Sequence, residues 1–433
     1  MIFFFGKGKK KQDDDEEQDN LDEPDLIAFQ GALNGEQPDL RANARLVEVG
    51  LDRSKEFVSG ALVRRAEMIR IDPRGERSVA TWVIDGVPVA GERLQKQDAL
   101  AITQMLKLLA GMDIRDRKSS QNGGIKAEYT GKPYELRLSS VGVEGGERLT
   151  IRVNDLSVKR DNLTDLGIDD ELRTKIRKIA SKKGLFFVVG ATGTGVTTTL
   201  YAVLRGLDPY LHQIFTLGDT GGRKLDNITP FEVKPGDTLE TSIQRVLRVD
   251  GDVLLIDPIN DADNAKLLTK YAENAAILTE FAARDVISGL LQFLKWIEDP
   301  QVVGETVNGL MSQKLLRLLC PKCRQAFKPN AQFLMRVGLP PTTSVLFRAP
   351  KLDEEEEPCR KCNGTGYFGR TGIYEILEMT DGLREVLKTN PEPAAIREQM
   401  KKDGGTTFQK DGLRLIAAGQ TSLEELQRVF KSG

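Results

Sequence analysis

The sequence predicts an α/β protein, with a parallel-sheet P-loop region preceded by a smaller α+β region and followed by a four-cysteine module and C-terminal helices. Three observations lead there. Leu185 to Val189 is a short, wholly apolar run that enters the glycine-rich GATGTG and then the helix-like TTTLYAVLRGL. Strand, glycine loop and helix in that order open a parallel-sheet nucleotide fold. Residues 65–89 alternate apolar and polar side chains between turn signals, the period of half-buried strands. Two Cys-x-x-Cys pairs then stand in the last third of the chain.

In chain order, residues 12–25 (QDDDEEQDNLDEPD) are acidic and free of aromatics, so residues 1–40 read as a disordered tail. The opening MIFFFGKGKKKQ has its apolar residues before its basic ones, the wrong order for a secretory signal and too few. It reads either as a floppy terminus or as a membrane-surface tether, with Phe3 to Phe5 inserted and Lys9 to Lys11 facing anionic lipid. Residues 41–155 form the α+β domain: strands and a hairpin over 65–89, an amphipathic helix over 94–110, and strands in IKAEYTGKPYELRLSSV and GERLTIRV. Residues 156–318 form the P-loop domain, with a helix over 170–183 and further apolar strands at 252–257 and Ala276 to Thr279. Residues 319–378 are a zinc-binding module and 379–433 a helical region.

At 433 residues the chain is long enough for two or three cores. A net charge of -2 carries no global basic excess, which argues against a nucleic-acid partner. No apolar run approaches the roughly 20 residues of a membrane helix.

Cys320 and Cys323 form CPKC; Cys359 and Cys362 form CRKC. Two such knuckles supply four sulfurs to one tetrahedral ion, and with four protein ligands no open position remains for catalysis. Structural zinc is the leading reading, beside two unrelated reduced pairs and a redox pair. The 35 residues between the pairs exceed ordinary zinc-ribbon spacing, so an insertion must loop out, carrying the acidic 353–357 run.

The loop Gly190, Ala191, Thr192, Gly193, Thr194, Gly195, Val196, Thr197, followed by Thr198, offers backbone N–H groups and a helix N-terminus to phosphate. Thr197 stands where a hydroxyl reaches magnesium. Val196 stands where lysine normally neutralises the β and γ phosphates, so a full charge is missing.

These segments resemble the type II secretion and type IV pilus assembly ATPase family. The resemblance rests on GATGTGVTTTLYAVLRGL, LLAGMDIRDRKSSQNGGI at 108–125, GERLTIRV at 146–153, QKLLRLLCPKC at 313–323 and CRKCNGTGYFGRTGIYEIL at 359–377. It implies a RecA-like motor domain, a working ring of six, ATP with magnesium, a cytoplasmic location peripheral to the inner membrane, and an inner-membrane platform partner. Arg137, Arg148 and Arg248 match arginines of the family.

The departures cluster at chemical positions. The family's acidic box, Thr-Ile-Glu-Asp-Pro, falls on Thr216, Leu217, Gly218, Asp219 and Thr220, so its glutamate is a glycine. Its second motif, Gly-Glu-Ile-Arg-Asp, falls on Asp257, Pro258, Ile259, Asn260 and Asp261. Asp257 stands one position early, where strand alternation points it to the opposite face. The histidine box falls across Glu273 to Val286, which holds no histidine. The lone His212 reads as a surface residue. Gly124 replaces an arginine of the first domain. The resemblance therefore implies a pseudo-ATPase or weak nucleotide binder with no catalytic residue, acting as a homo-oligomer or in a mixed ring with an active paralogue. A slow ATPase borrowing Lys182 or Lys183, and a regulatory protein reusing the fold, remain as alternatives.

Overall fold

The computed structural model describes residues 25–431 apart from 219, 221, 222, 224, 235 and 352–356. The Phe3–Phe5 and Lys9–Lys11 expectations, the acidic run to residue 24, Asp219 and most of the 353–357 run lie outside the described residues. The chain divides into two compact units, residues 25–84 with 88–157, and residues 85–87 with 158–431.

The first unit contains β1 (Ala28–Ala32), α1 (Ala44–Val63), β2 (Ala66–Arg74), β3 (Arg77–Ile84), β4 (Val87–Gln95), α2 (Lys96–Leu109), β5 (Gln121–Tyr129), β6 (Lys132–Val143) and β7 (Gly146–Asp155). The strands form one seven-stranded sheet in the order β1-β5-β6-β7-β2-β3-β4. Alternation explains it. Ile69 and Ile71 of β2, Leu136 and Leu138 of β6, and Leu149 and Ile151 of β7 turn into one core, where Phe57 of α1 and Ile102, Met105 and Leu106 of α2 meet them.

Two features correct the sequence reading. The span read as tail contains β1, paired antiparallel with β5, and the buried Ile27 beside it, whose backbone N–H donates to Ser59 Oγ at 2.8 Å. Helix α1 escaped notice because its buried apolar residues concentrate in its second half, at Phe57, Val58, Ala61 and Leu62.

The second unit begins with α3 (Asp170–Ala180), β8 (Gly184–Gly190), α4 (Val196–Arg205), β9 (Ile214–Leu217), β10 (Thr229–Phe231), α5 (Leu239–Leu247), β11 (Val253–Ile256), α6 (Ala262–Tyr271), β12 (Ala276–Ala282), α7 (Val286–Ile297), α8 (Pro300–Thr306) and β13 (Val307–Leu319). It continues with β14 (Gln325–Phe327), α9 (Ala331–Val337), β15 (Leu346–Arg348), β16 (Tyr367–Glu378), α10 (Asp381–Thr389), α11 (Pro393–Lys402), α12 (Phe408–Ala417) and α13 (Leu423–Lys431). A seven-stranded sheet runs β10-β9-β11-β12-β8-β13-β16, parallel except for the antiparallel edge strand β16. This is an α/β fold.

β8 is apolar throughout because helices cover both faces of the sheet. Leu185, Phe187 and Val189 enter one core with α5 to α8, whereas Phe186 and Val188 enter the other with α3 and α4. The described part of the insertion between the cysteine pairs is folded: β14 and β15 pair antiparallel around α9, and Leu334 and Leu346 join Phe408, Leu415 and Leu426 in a third core. Arg317 of β13 and Arg428 grip the buried Glu425 of α13, with Arg317 Nη2 at 2.7 Å and Arg428 Nε at 2.8 Å from its Oε2. Burial pushes that carboxyl up, but the two guanidiniums outweigh burial and hold it below its ordinary range.

Glu375 of β16 has the opposite fate. Burial, opposed by the Val286 N–H at 3.3 Å and reinforced by Asp285, pushes its carboxyl up to about 7. The folded protein therefore binds a proton more tightly than the unfolded chain, and this contribution is present in acid and lost as pH rises through about 7. We expect Glu375→Gln to match the parent near pH 5 and to be more stable near pH 8 by about 3 kcal/mol at most. Urea melts at both pH values check it; equal stabilities at pH 8 would exclude the buried-charge account.

Candidate functional site

The parallel strands β8, β9, β11, β12 and β13 all point the same way, so the segments leaving their C-terminal ends gather on one edge, where open α/β sheets bind ligands. A cleft of about 370 Å³ lies there, lined by Gly190 to Gly193, Gly195 to Thr198, Pro258, Asn260 and Glu280 to Ala282. It brings together seven of the eight residues read from the sequence as nucleotide-binding. The eighth, Thr194, hydrogen-bonds within the loop, its Oγ1 donating to the Ala191 carbonyl at 2.8 Å.

Gly195 caps α4 at φ 86°, a left-handed turn that glycine adopts without a Cβ penalty. The Val196 side chain turns back into the loop: a Cβ on Gly190 would lie 2.7 Å from Val196 Cγ2. Beneath the loop, buried Gln313 of β13 donates from Nε2 to the Thr194 carbonyl at 3.0 Å.

The cleft holds one carboxylate that the sequence reading did not place, Glu280, and a second acts on it from nearby, Asp257, which strand alternation had turned to the opposite face. Thr197 Oγ1 donates to Glu280 Oε1 at 2.7 Å, and Glu280 Oε2 is buried without a hydrogen-bond partner. Burial raises the Glu280 carboxyl; Thr197 and Arg223 pull it down and Asp257 pushes it further up. Glu280 is a lone charge in the otherwise uncharged run AILTEFA, a signal that was legible in the sequence. Asp257 lies just beyond β11, past the reach of strand alternation, and its carboxyl occupies the space a Cβ on Gly218 would need. Gly218, at φ 124°, is thus glycine for a steric reason.

The chemistry of this donor set fits a divalent cation such as magnesium: a hydroxyl, a carboxylate with one unpaired oxygen, and a second carboxylate nearby. It disfavours a bare anion. Two unit charges about 4 Å apart repel by about 4 kcal/mol at the effective dielectric of a partly buried site.

Lys182 and Lys183 precede β8, whose seven residues separate them from the loop by about 20 Å. Neither can supply the missing charge within this chain. His212 is 21% exposed rather than free at the surface, its Nδ1 lying 2.9 Å from Asp252 Oδ2 before β11, at the opposite edge from the cleft. In the first unit, Leu33 fills the space beside Gly124.

The four cysteines form a second site. Their sulfurs all lie within 4.8 Å of one another, with Cys320 and Cys359 at 4.0 Å and Cys323 and Cys362 at 3.6 Å. Tetrahedral zinc with bonds of about 2.3 Å sets its sulfurs about 3.8 Å apart, so the geometry fits. The Cys362 backbone N–H draws the Cys359 thiol down to about 7, while burial pushes Cys323 up. Among the described residues, no helix is long and apolar enough to cross a membrane.

Known proteins resemble this chain along most of its length. A model of the type II/IV secretion system protein family matches residues 48–428. Type II secretion system protein E of Dickeya dadantii is 29% identical over 379 residues, spanning 87% of this chain and 74% of that protein. Type IV pilus assembly ATPase PilB of Myxococcus xanthus is 30% identical over 372 residues, 84% of this chain and 65% of that one. The solved ATPase DotB of Legionella pneumophila shares the fold at a TM-score of 0.55 and 14% identity, covering 92% of this chain and 98% of its own. The chain belongs to the type II/IV secretion system protein family.

Proposed function

We propose that this protein is a degenerate member of its family, a weak nucleotide binder with hydrolysis at or near background. It serves as a cytoplasmic oligomeric component of a type II secretion or type IV pilus machine. The observation that carries this reading is Val196, whose side chain packs into the loop against Gly190 where an ammonium would meet phosphate. In this reading residues 156–318 are a RecA-like P-loop domain. The loop's backbone N–H groups and the α4 N-terminus hold a phosphate, Thr197 orients its cation-side oxygen, and Pro258 and Asn260 offer no carboxylate to activate water. Magnesium, when bound, neutralises phosphate charge. The protein works as a homo-oligomer or in a mixed ring with an active paralogue, against an inner-membrane platform protein. Zinc at Cys320, Cys323, Cys359 and Cys362 is structural.

A second reading, slow hydrolysis, draws on the Asp257 and Glu280 carboxylates, which stand near the loop at positions other than those of the family's motif glutamates.

Four measurements test the proposal. Val196→Lys should tighten nucleotide binding about tenfold or more while turnover stays near background, because a charge-assisted hydrogen bond is worth about 1.5–3 kcal/mol. Vigorous ATP hydrolysis by the parent, abolished by Thr197→Ala and absent from a mock purification, would refute the inactive reading. Reduced protein purified without chelator should carry about one zinc per chain, and Cys359→Ser should lose it and open residues 320–366 to protease; metal-free parent with the same protection would remove zinc from the account. Analytical ultracentrifugation should show ring-sized species, alone or with an active relative, and strict monomers in both cases would sink the assembly proposal.

A further inference from the structure

Glu280 falls inside the span Glu273 to Val286 onto which the family's histidine box maps, and its position is specific. Register pairs it with Val188, two residues before the loop begins, so its side chain rises beside the loop. Its Oε1 accepts the Thr197 hydroxyl proton at 2.7 Å, and its Oε2 is buried with no partner. A hydroxyl that donates its proton keeps both lone pairs for another partner, and a cation is the partner those lone pairs suit. Among the described residues no cation contacts it. Val196 is apolar. The Arg223 guanidinium lies 4.7 Å over the Tyr201 ring and donates to the Thr220 carbonyl at 3.0 Å, so it reaches Glu280 only through space. Asp257 adds negative charge.

We propose that Glu280 makes occupation of the glycine loop conditional on a divalent cation: its carboxylate turns away free phosphate, and a nucleoside polyphosphate enters only with a cation seated between Thr197 Oγ1 and Glu280. The inference rests on reading the loop as a phosphate site. Charge sets its direction. Where the family pattern places a lysine, this chain has none, and a fixed carboxylate stands on the hydroxyl that faces the phosphates. A bare polyphosphate meets like charge across a few ångströms of partly buried space. A cation bound by Glu280 reverses the sign of that field, and the loop's backbone donors then act with it instead of against it. Glu280 is accordingly a specificity residue that selects the metal complex over the free anion.

The test is equilibrium binding of a fluorescent ADP analogue, with inorganic pyrophosphate as competitor, in magnesium and in EDTA. The parent should bind at least about tenfold more tightly in magnesium than in EDTA. Glu280→Gln, which preserves shape and removes charge, should gain about tenfold in EDTA and bring the magnesium-to-EDTA ratio close to one; Glu280→Ala should do the same if the glutamine variant melts early. Competition by pyrophosphate identifies the polyphosphate as the recognised group, and its failure against bound ADP would overturn the charge-based mechanism in favour of base or ribose recognition. Equal parent affinities in magnesium and EDTA, or an unchanged ratio in both Glu280 variants while Val196→Lys binds well, would overturn the proposal and leave the loop as a phosphate site. No binding by the parent, Val196→Lys, or a Val196→Lys, Glu280→Gln double variant would overturn the phosphate-site reading and this inference with it.

Discussion

Five consecutive apolar residues, Leu185 to Val189, must be buried on both faces of whatever sheet they join. That requirement forces the architecture of the second unit. A strand with no polar face needs helices above and below, and helices above and below come from crossovers between parallel strands. Parallel strands in turn deliver all their C-terminal ends to one edge. The loop after β8, the carboxylates after β11 and within β12, Gly218 after β9 and Gln313 of β13 meet because of this one constraint. The residues that meet are up to 123 positions apart, counting from Gln313 back to Gly190.

Much of this could be read from the chain because it depends on local patterns. Period-two alternation marked β2, β3, β6 and β7, the apolar runs marked β8, β11 and β12, and the loop residues announced themselves by glycine spacing. What was hidden depends on partners remote in sequence. β1 is a strand because β5 offers it an edge, and nothing in Ala28 to Ala32 alone says so. Asp257 looked misdirected because alternation was extended one residue past the end of β11, where the backbone is free to turn. Lys182 and Lys183 looked available because they are near Gly190 in sequence, whereas an extended strand makes sequence neighbours spatially distant. Among these overlooked residues Glu280 was the one the chain did advertise, as a charge in an apolar strand, and only the β12–β8 register shows that it stands beside the loop.

Counting motif residues as present or absent therefore gives an incomplete picture of the cleft. Positions that carry charge in the family pattern have become Val196, Gly218, Pro258 and Asn260, but charge has also arrived, at Glu280 and Asp257. Among the described residues, these replacements leave two carboxylates near the loop, with the Arg223 guanidinium acting on Glu280 through space. Gly218 illustrates the coupling: a side chain there would collide with the Asp257 carboxyl, so the glycine and the displaced aspartate form one steric unit. A site that had merely decayed would have no reason to place a buried carboxylate oxygen without a partner, because such an atom costs free energy unless something binds it.

The cysteine cluster and the cleft share a single strand, and the layout of that strand limits how they influence one another. β13 places Gln313 beneath the loop near its middle and ends immediately before Cys320. Its pairing with β16, down to Leu319 opposite Tyr367, brings the first knuckle beside Cys362, which lies just before β16 begins. Loss of a metal from the four sulfurs would free the knuckles and fray β13 from that end. Fraying must then pass Arg317, bound three ways to the buried Glu425, and Leu316, which is wholly buried, before it reaches Gln313. The Arg317–Glu425 clamp thus sits between the two sites, so the cluster orders the insertion and the strand end while the packing of β13 against β8 and β16 fixes the loop.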